Sequence, residues 1–274
     1  MSLLQIVVLA IVQGITEFLP ISSSGHLILV PAVTGWPDQS MALDVASHVG
    51  SLAAVLIYFR KDVWMMLKGL GGLARGKKNP GSRLVGLLII GTVPAIMVGL
   101  AFSALDVSEH LRSIKVIAWT TLIFAVVMYI ADKMFLTVRR MDQMTVLNAF
   151  LIGCAQAIAL IPGTSRSGIT MSAARMFGFE RGEAARFSFL LSIPAVSAAG
   201  LLEAYELWQT ATPDLLANAV LLAGLTMIVA LFAIAFLMAW LRRATLTAFV
   251  VYRLILAALL FTWIYAYGGG PIGF

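Results

Sequence analysis

The chain has 274 residues, 61% of them hydrophobic and only 12% charged, with a mean hydropathy of +0.96. A soluble domain of this length needs roughly twice that charge fraction to cover its surface, so a soluble globular fold is excluded. The net charge of +6 does not point to nucleic acid, because the basic residues gather in short loops between apolar runs, where they read as topology signals. Cys154 is the single cysteine, which excludes an intrachain disulfide. The first Lys or Arg is Arg60, so the basic n-region of a cleavable signal peptide is absent. Apolar runs of about 20 residues recur, the length that spans a bilayer. The expected class is an all-α polytopic membrane protein, a single integral membrane domain over 1–274.

In chain order, residues 3–19 are apolar until Pro20, Ser22, Ser23 and Ser24 interrupt them, and 27–33 are apolar again before Gly35-Trp36-Pro37. Neither half spans comfortably, so the pair reads as a re-entrant helical hairpin. Irregular backbone is tolerated at membrane depth only where it is buried in protein or lines a cavity. Residues 41–59 form the first predicted span, with Asp44 and His48 one turn apart. Residues 60–83 read as a loop with seven Lys or Arg and the breakers Gly71-Gly72 and Asn79-Pro80-Gly81. Spans are predicted at 84–105 and 114–131, joined by a loop holding Asp106, Glu109 and Arg112; 132–145 is a basic loop. Residues 146–161 are apolar until Pro162-Gly-Thr-Ser-Arg-Ser-Gly168, and a short helix to about Phe177 completes a second hairpin. Spans near 186–204, 215–241 and 247–267 follow, then a Gly-Gly-Gly-Pro-Ile-Gly-Phe tail. The expectation is six transmembrane helices and two re-entrant hairpins.

Fifteen of the nineteen Lys and Arg fall in 60–83, 132–145, 175–186 and 242–243, whereas the 203–215 connection carries Glu203, Glu206 and Asp214 and no base. With the basic loops in the cytoplasm, every crossing is consistent, and both termini lie outside it. The two hairpins then enter from opposite faces, as an inverted-topology repeat requires. An offset of 143 superposes Gln13 on Gln156, Ser22 on Ser165, Ser24 on Ser167 and Gly25 on Gly168. Repeat 1 covers about 1–131 and repeat 2 about 146–267. Proteins built this way place their site near the midplane at the repeat interface.

Gln13 and Glu17 are four apart and share one helix face. An ionised residue at membrane depth costs about 2.5–3.5 kcal/mol on insertion scales, so Glu17, His26 and Arg166 are expected to meet in one polar cavity. Ser22, Ser23, Ser24 and Gly25 lead into an apolar helix, and hydroxyls and N-terminal amides there favour an anion. Simple N-capping accounts for the serines equally well. Thr164, Ser165, Ser167 and Gly168 repeat the layout around Arg166, whose guanidinium matches phosphate oxygens in a bidentate fork. Two such cradles converging suit a diphosphate better than a carboxylate. His26 reads as a general acid or base, or as the orienter of a nucleophile. Asp44 and His48 form a second polar pair, structural or outlying to the site. Arg253 reads as snorkelling from the cytoplasmic end of the last span. Arg175, Arg181 and Arg186 read as topology charges with Glu180 and Glu183 as local partners.

Gln13-xxx-Glu17 followed by Phe-Leu-Pro-Ile-Ser-Ser-Ser-Gly-His26, with Pro162-Gly-Thr-Ser-Arg-Ser-Gly-Ile-Thr170, resembles the undecaprenyl-diphosphate phosphatase family, also called the bacitracin-resistance protein family. The resemblance covers the whole length. It implies a multi-pass enzyme of the bacterial inner membrane, its site facing the periplasm, that removes one phosphate from the C55 prenyl diphosphate and recycles the carrier for peptidoglycan. It implies a divalent cation, Mg2+ or Ca2+, held by Glu17 and by position 13, where the family has Glu or Gln. Gln13 is neutral and leaves one carboxylate for the metal. By the family pattern Ser23 with His26 is the nucleophile pair, and Arg166 holds the phosphates. The phosphate-binding set comprises Ser22, Ser24, Gly25, Gly163, Thr164, Ser165, Ser167 and Thr170. Attack by a water activated by Glu17 or His26 is equally compatible, as is a homodimer. The rival class is a transporter or flippase of a phosphorylated polyprenyl lipid, since inverted repeats with broken helices are common there.

Overall fold

The computed structural model describes residues 2–37, 40–73, 75–76, 79–105, 107, 111–135, 137–210 and 212–267, without the side chains of 41, 73, 199, 201–210 and 267. Asp106, Glu109, the side chains of Glu203 and Glu206, and the 268–274 tail lie outside the described residues.

The described structure is helical. Helix α1 (Leu3–Thr16) begins at a capping box between Ser2 and Gln5, and the chain breaks before Pro20. Helix α2 (Ser23–Thr34) is capped by Ser22 and ends at Gly35, whose φ of 67° is the left-handed conformation that suits glycine. Helices α3 (Met41–Tyr58) and α4 (Arg60–Leu73) follow. The chain bends by 89° between them, and α4 occupies part of the stretch expected to be a loop. Its Gly69 lies so close to Gly81 of α5 (Pro80–Ala104) that a β-carbon would collide with backbone. The basic side chains Arg60, Lys61 and Lys68 are exposed on α4 while Gly69 and Gly72 are buried, a one-sided helix that a count of charges conceals.

Helix α6 (Ile114–Lys133) leads through a short 3-10 turn to α7 (Val146–Ile158) and α8 (Arg166–Met176). Helices α9 (Arg181–Thr210), α10 (Pro213–Leu241) and α11 (Thr247–Tyr267) complete the chain. Among the described residues four helices, α5, α6, α10 and α11, are long and apolar enough to cross a bilayer, and the bent α3–α4 pair passes the same test jointly. The chain is a polytopic helical membrane protein.

Close helix contacts are made by small residues, as expected where lipid removes the hydrophobic drive between helices. Gly50 of α3 sits on the Ala223 carbonyl of α10, Gly14 of α1 on Val229 of α10, and Gly153 of α7 on Gly91 of α5. A core of Phe18, Phe59, Phe187, Phe189 and Leu88 fills the space beneath the two helix breaks, with Phe18 edge-on to Phe189 at 5.3 Å.

Of the three arginines read as topology charges, Arg175 and Arg181 have a partner other than those expected, and Arg186 keeps one of the expected pair. Arg175 is buried and pairs with Asp132 at 3.1 Å, and Arg181 reaches the same carboxylate at 2.7 Å. Arg186 pairs with Asp62 and, more loosely, with Glu183, while Glu180 faces Arg140. These groups tie helix ends together. Burial of Arg175 and Asp132 requires a mutual partner, a demand that sequence distance hides.

Candidate active site

The turns 17–22 and 159–165 interrupt two apolar helical runs, and they meet. Arg166 Nη2 donates to Glu17 Oε1 at 2.9 Å, and Ser167 Oγ donates to the Leu19 carbonyl at 3.2 Å. The two turns are in van der Waals reach, since a β-carbon on Gly25 would lie 3.6 Å from Gly163 Cα and one on Gly168 3.5 Å from Pro20 Cβ.

The turns share a backbone device. Ser22 (φ 76°) and Ser165 (φ 73°) are the only non-glycine residues with positive φ among the described residues, and they occupy matched positions at the 143 offset. Such backbone costs about 1–3 kcal/mol per residue and persists only when the surroundings enforce it. In each turn the serine hydroxyl accepts from the amide three residues on, Gly25 or Gly168, and contacts the next serine but one at 3.4 or 3.3 Å. Ser22 and Ser165 act as N-caps, buried with their hydroxyls engaged. Ser23 and Ser24 are the accessible hydroxyls of the first turn.

Glu17, 7% exposed, is the centre of the network. Its Oε2 accepts from Ser23 Oγ at 2.7 Å and from Gln13 Nε2 at 3.1 Å, the latter set by their four-residue spacing on α1. His48 Nε2 of α3 lies 3.9 Å from the same oxygen. His26 does not join this group. Its Nδ1 is 2.6 Å from the Ser22 carbonyl and its Nε2 2.6 Å from Tyr252 Oη, so both ring nitrogens are occupied and the expected Ser23–His26 pair is not formed. Thr170 is fully buried, its hydroxyl engaged by the Arg166 carbonyl and Ser188 Oγ. Thr164 is equally buried, and its Oγ1 has no partner.

Arg253 overturns the snorkelling expectation. It is 1% exposed and donates to the carbonyls of Gly163 (2.9 Å), Thr164 (3.1 Å), Thr121 (3.3 Å), Thr120 (3.4 Å) and Pro20 (3.5 Å). One guanidinium thus binds both turns and helix α6. Sequence gave no cue, because its partners are backbone atoms. The contact of Tyr252 with His26 and that of Ser188 with Thr170 were also missed.

Among the described residues no three His, Cys, Asp or Glu side chains form a metal-ligand cluster. Gln13, however, is fully buried beside Glu17, its Nε2 donating to the carboxylate and its Oε1 left unpartnered. A lone amide oxygen next to a carboxylate suits a hard divalent cation that takes its remaining ligands from phosphate oxygens. The donor set fits a cation shared with a diphosphate, and Gln13 and Glu17 would hold it.

A multi-pass helical membrane protein with a buried carboxylate–guanidinium pair at the junction of two broken helices is the class these features define. Residues 6–259 match the family model described as bacitracin resistance protein BacA. The chain belongs to that family. It is 48% identical to an undecaprenyl-diphosphatase of Hahella chejuensis, over 97% of this chain and 99% of the relative. It is 47% identical to an undecaprenyl-diphosphatase of Chromohalobacter salexigens, over 96% and 100%, and 45% identical to undecaprenyl-diphosphatase 1 of Rhodospirillum rubrum, over 97% and 96%.

Proposed function

We infer that this chain hydrolyses undecaprenyl diphosphate to undecaprenyl phosphate and inorganic phosphate, recycling the lipid carrier for cell-wall synthesis and conferring bacitracin resistance. The observation that carries the reading is the Glu17–Arg166 contact, which joins side chains 149 residues apart inside an apolar chain. Family membership and the names of the relatives agree with it.

The architecture we propose has six spans and two re-entrant hairpins, α1–α2 and α7–α8, in an inverted repeat of about 1–131 and 146–267. The matched strained serines and the equal capping of the two turns support it. The protein sits in the bacterial inner membrane, and its site opens to the periplasm, in keeping with the positive loops on the opposite side. An apolar groove of about 460 Å³ between α1 and α11 runs past Thr16, Leu19 and Ile21 to Tyr252, and gives the prenyl chain a path from lipid to the turn.

In the reaction, Arg166 and the first-turn amides of α2 and α8 hold the diphosphate oxygens, supplying the positioning and charge stabilisation that phosphoryl transfer requires. Ser23 attacks the terminal phosphorus as Glu17, already accepting its hydrogen bond, takes the proton. The Ser23 Oγ–P bond forms and the bridging P–O bond breaks, releasing undecaprenyl phosphate. Water then cleaves the phosphoserine, and Glu17 returns the proton to Ser23. A bound divalent cation, Mg2+ or Ca2+, would neutralise phosphate charge beside Gln13 and Glu17. In the second route a water oriented by Glu17 attacks directly. Radiolabelled phosphate trapped on Ser23 during turnover selects the first route; its absence selects the second.

The matched turns also suit a transporter of the same lipid, since paired broken helices are frequent there. Purified protein in detergent should release phosphate from a prenyl diphosphate without any gradient, and lose that activity with Arg166→Ala. Binding without hydrolysis would instead establish the transporter.

A further inference from the structure

We propose that His48 is a direct ligand of the divalent cation, completing a Gln13–Glu17–His48 donor set. The inference rests on the reading above, in which Gln13 and Glu17 hold that cation. Of the two histidines among the described residues, His26 has both nitrogens engaged. His48 does not: Nδ1 donates to the Asp44 carbonyl at 2.8 Å, and Nε2 faces Glu17 Oε2 at 3.9 Å. A histidine that donates one ring N–H to a backbone carbonyl while aiming the other nitrogen at a carboxylate is oriented as metal-binding histidines are. The second observation is independent. Gln13 donates from Nε2 to the same carboxylate at 3.1 Å, and its Oε1 is buried without a partner. Turning its amide over presents that oxygen to a cation beside Glu17.

The three donors come from two helices, α1 and α3, each locked against α10 by a glycine contact, Gly14 on Val229 and Gly50 on Ala223. The site is thus held by backbone packing. His48 is also partly exposed, so the cation and the phosphate oxygens that share it have an approach. An imidazole nitrogen beside the oxygen donors extends the ions the site accepts from Mg2+ and Ca2+ to divalent ions of the first transition row. A single carboxylate with an amide is a thin oxygen set, and the nitrogen makes good the shortage.

Mn2+ is the probe. Tag-free protein is loaded with Mn2+, alone and with inorganic diphosphate, and the electron spin-echo envelope of the bound ion is recorded. One directly bound imidazole nitrogen is expected, and 15N-histidine labelling of the unaltered chain should replace its 14N pattern. His48→Gln should abolish that coupling and weaken Mn2+ binding by at least the ~10-fold that even outer partners of a metal contribute; His26→Gln should leave the coupling in place. Bound Mn2+ showing no nitrogen, or a coupling that survives His48→Gln, overturns the role of His48 and leaves the Gln13–Glu17 reading standing. No Mn2+ bound to the unaltered protein in either condition overturns both.

Discussion

The two turns have one backbone and two chemistries. At matched positions each has a buried glutamine with an unpartnered Oε1, a strained capping serine and a capped glycine. The residues between diverge. Glu17 falls on Leu160, Ser23 on Arg166 and His26 on Ile169. Turn one has taken the acid and the accessible hydroxyl, and turn two the cation. The comparison teaches that the frame is a way to turn a chain around inside an apolar environment, while the reactive side chains were fitted to it separately.

The largest expected effect comes from removing either half of the divided chemistry. Glu17→Ala and Arg166→Ala should each lower phosphate release by ~100-fold or more, the scale of losing a principal charge-stabilising group. Near-normal turnover in either would break the assignment of roles between the turns. Arg253→Ala comes next, because it leaves carbonyls of both turns without a donor. About 3 kcal/mol of stability should be lost, read as a lower thermal midpoint in detergent, with Arg253→Lys restoring part of it. An unchanged midpoint would mean that the turns hold together without this guanidinium.

A matched pair sharpens the contrast. Gln13→Leu should reduce activity by ~10-fold and weaken Mn2+ binding. Gln156→Leu, whose amide donates weakly to the Gly91 carbonyl at 3.5 Å, should leave Mn2+ binding intact. Equal losses would assign both glutamines to packing. The smallest difference is expected between Ser22→Ala and Ser165→Ala. Each removes a cap worth about 1 kcal/mol, so denaturation should show similar shifts if the turns are equivalent frames.

Both breaks were legible because Pro20 and Pro162 stand among serines and glycines within long apolar runs, a pattern with few structural solutions. Glu17 and Arg166 were legible as a pair because neither is stable alone in such surroundings. Helix α4 was missed for the opposite reason: its charges look like a loop until Gly69 is seen against α5. The pairing of Ser23 with Glu17, and not with His26, depends on how α2 leaves a turn with positive φ at Ser22, which residue type does not announce. His48 stood in view beside Asp44, but its distance to Glu17 is set by the packing of α1 and α3 on α10.

Arg253 carries a consequence for how this protein tolerates change. Its five acceptors are all main-chain oxygens, so the guanidinium itself does not read the side chains at 121 and 164, while Thr120 adds a bond of its own, its Oγ1 donating to the Pro162 carbonyl at 2.6 Å. Alanine at 121 or 164 would leave all five acceptors in place. Inserting or deleting a single residue in either turn would shift the oxygens out of register and undo the contact, which makes turn length a trait that selection must guard here.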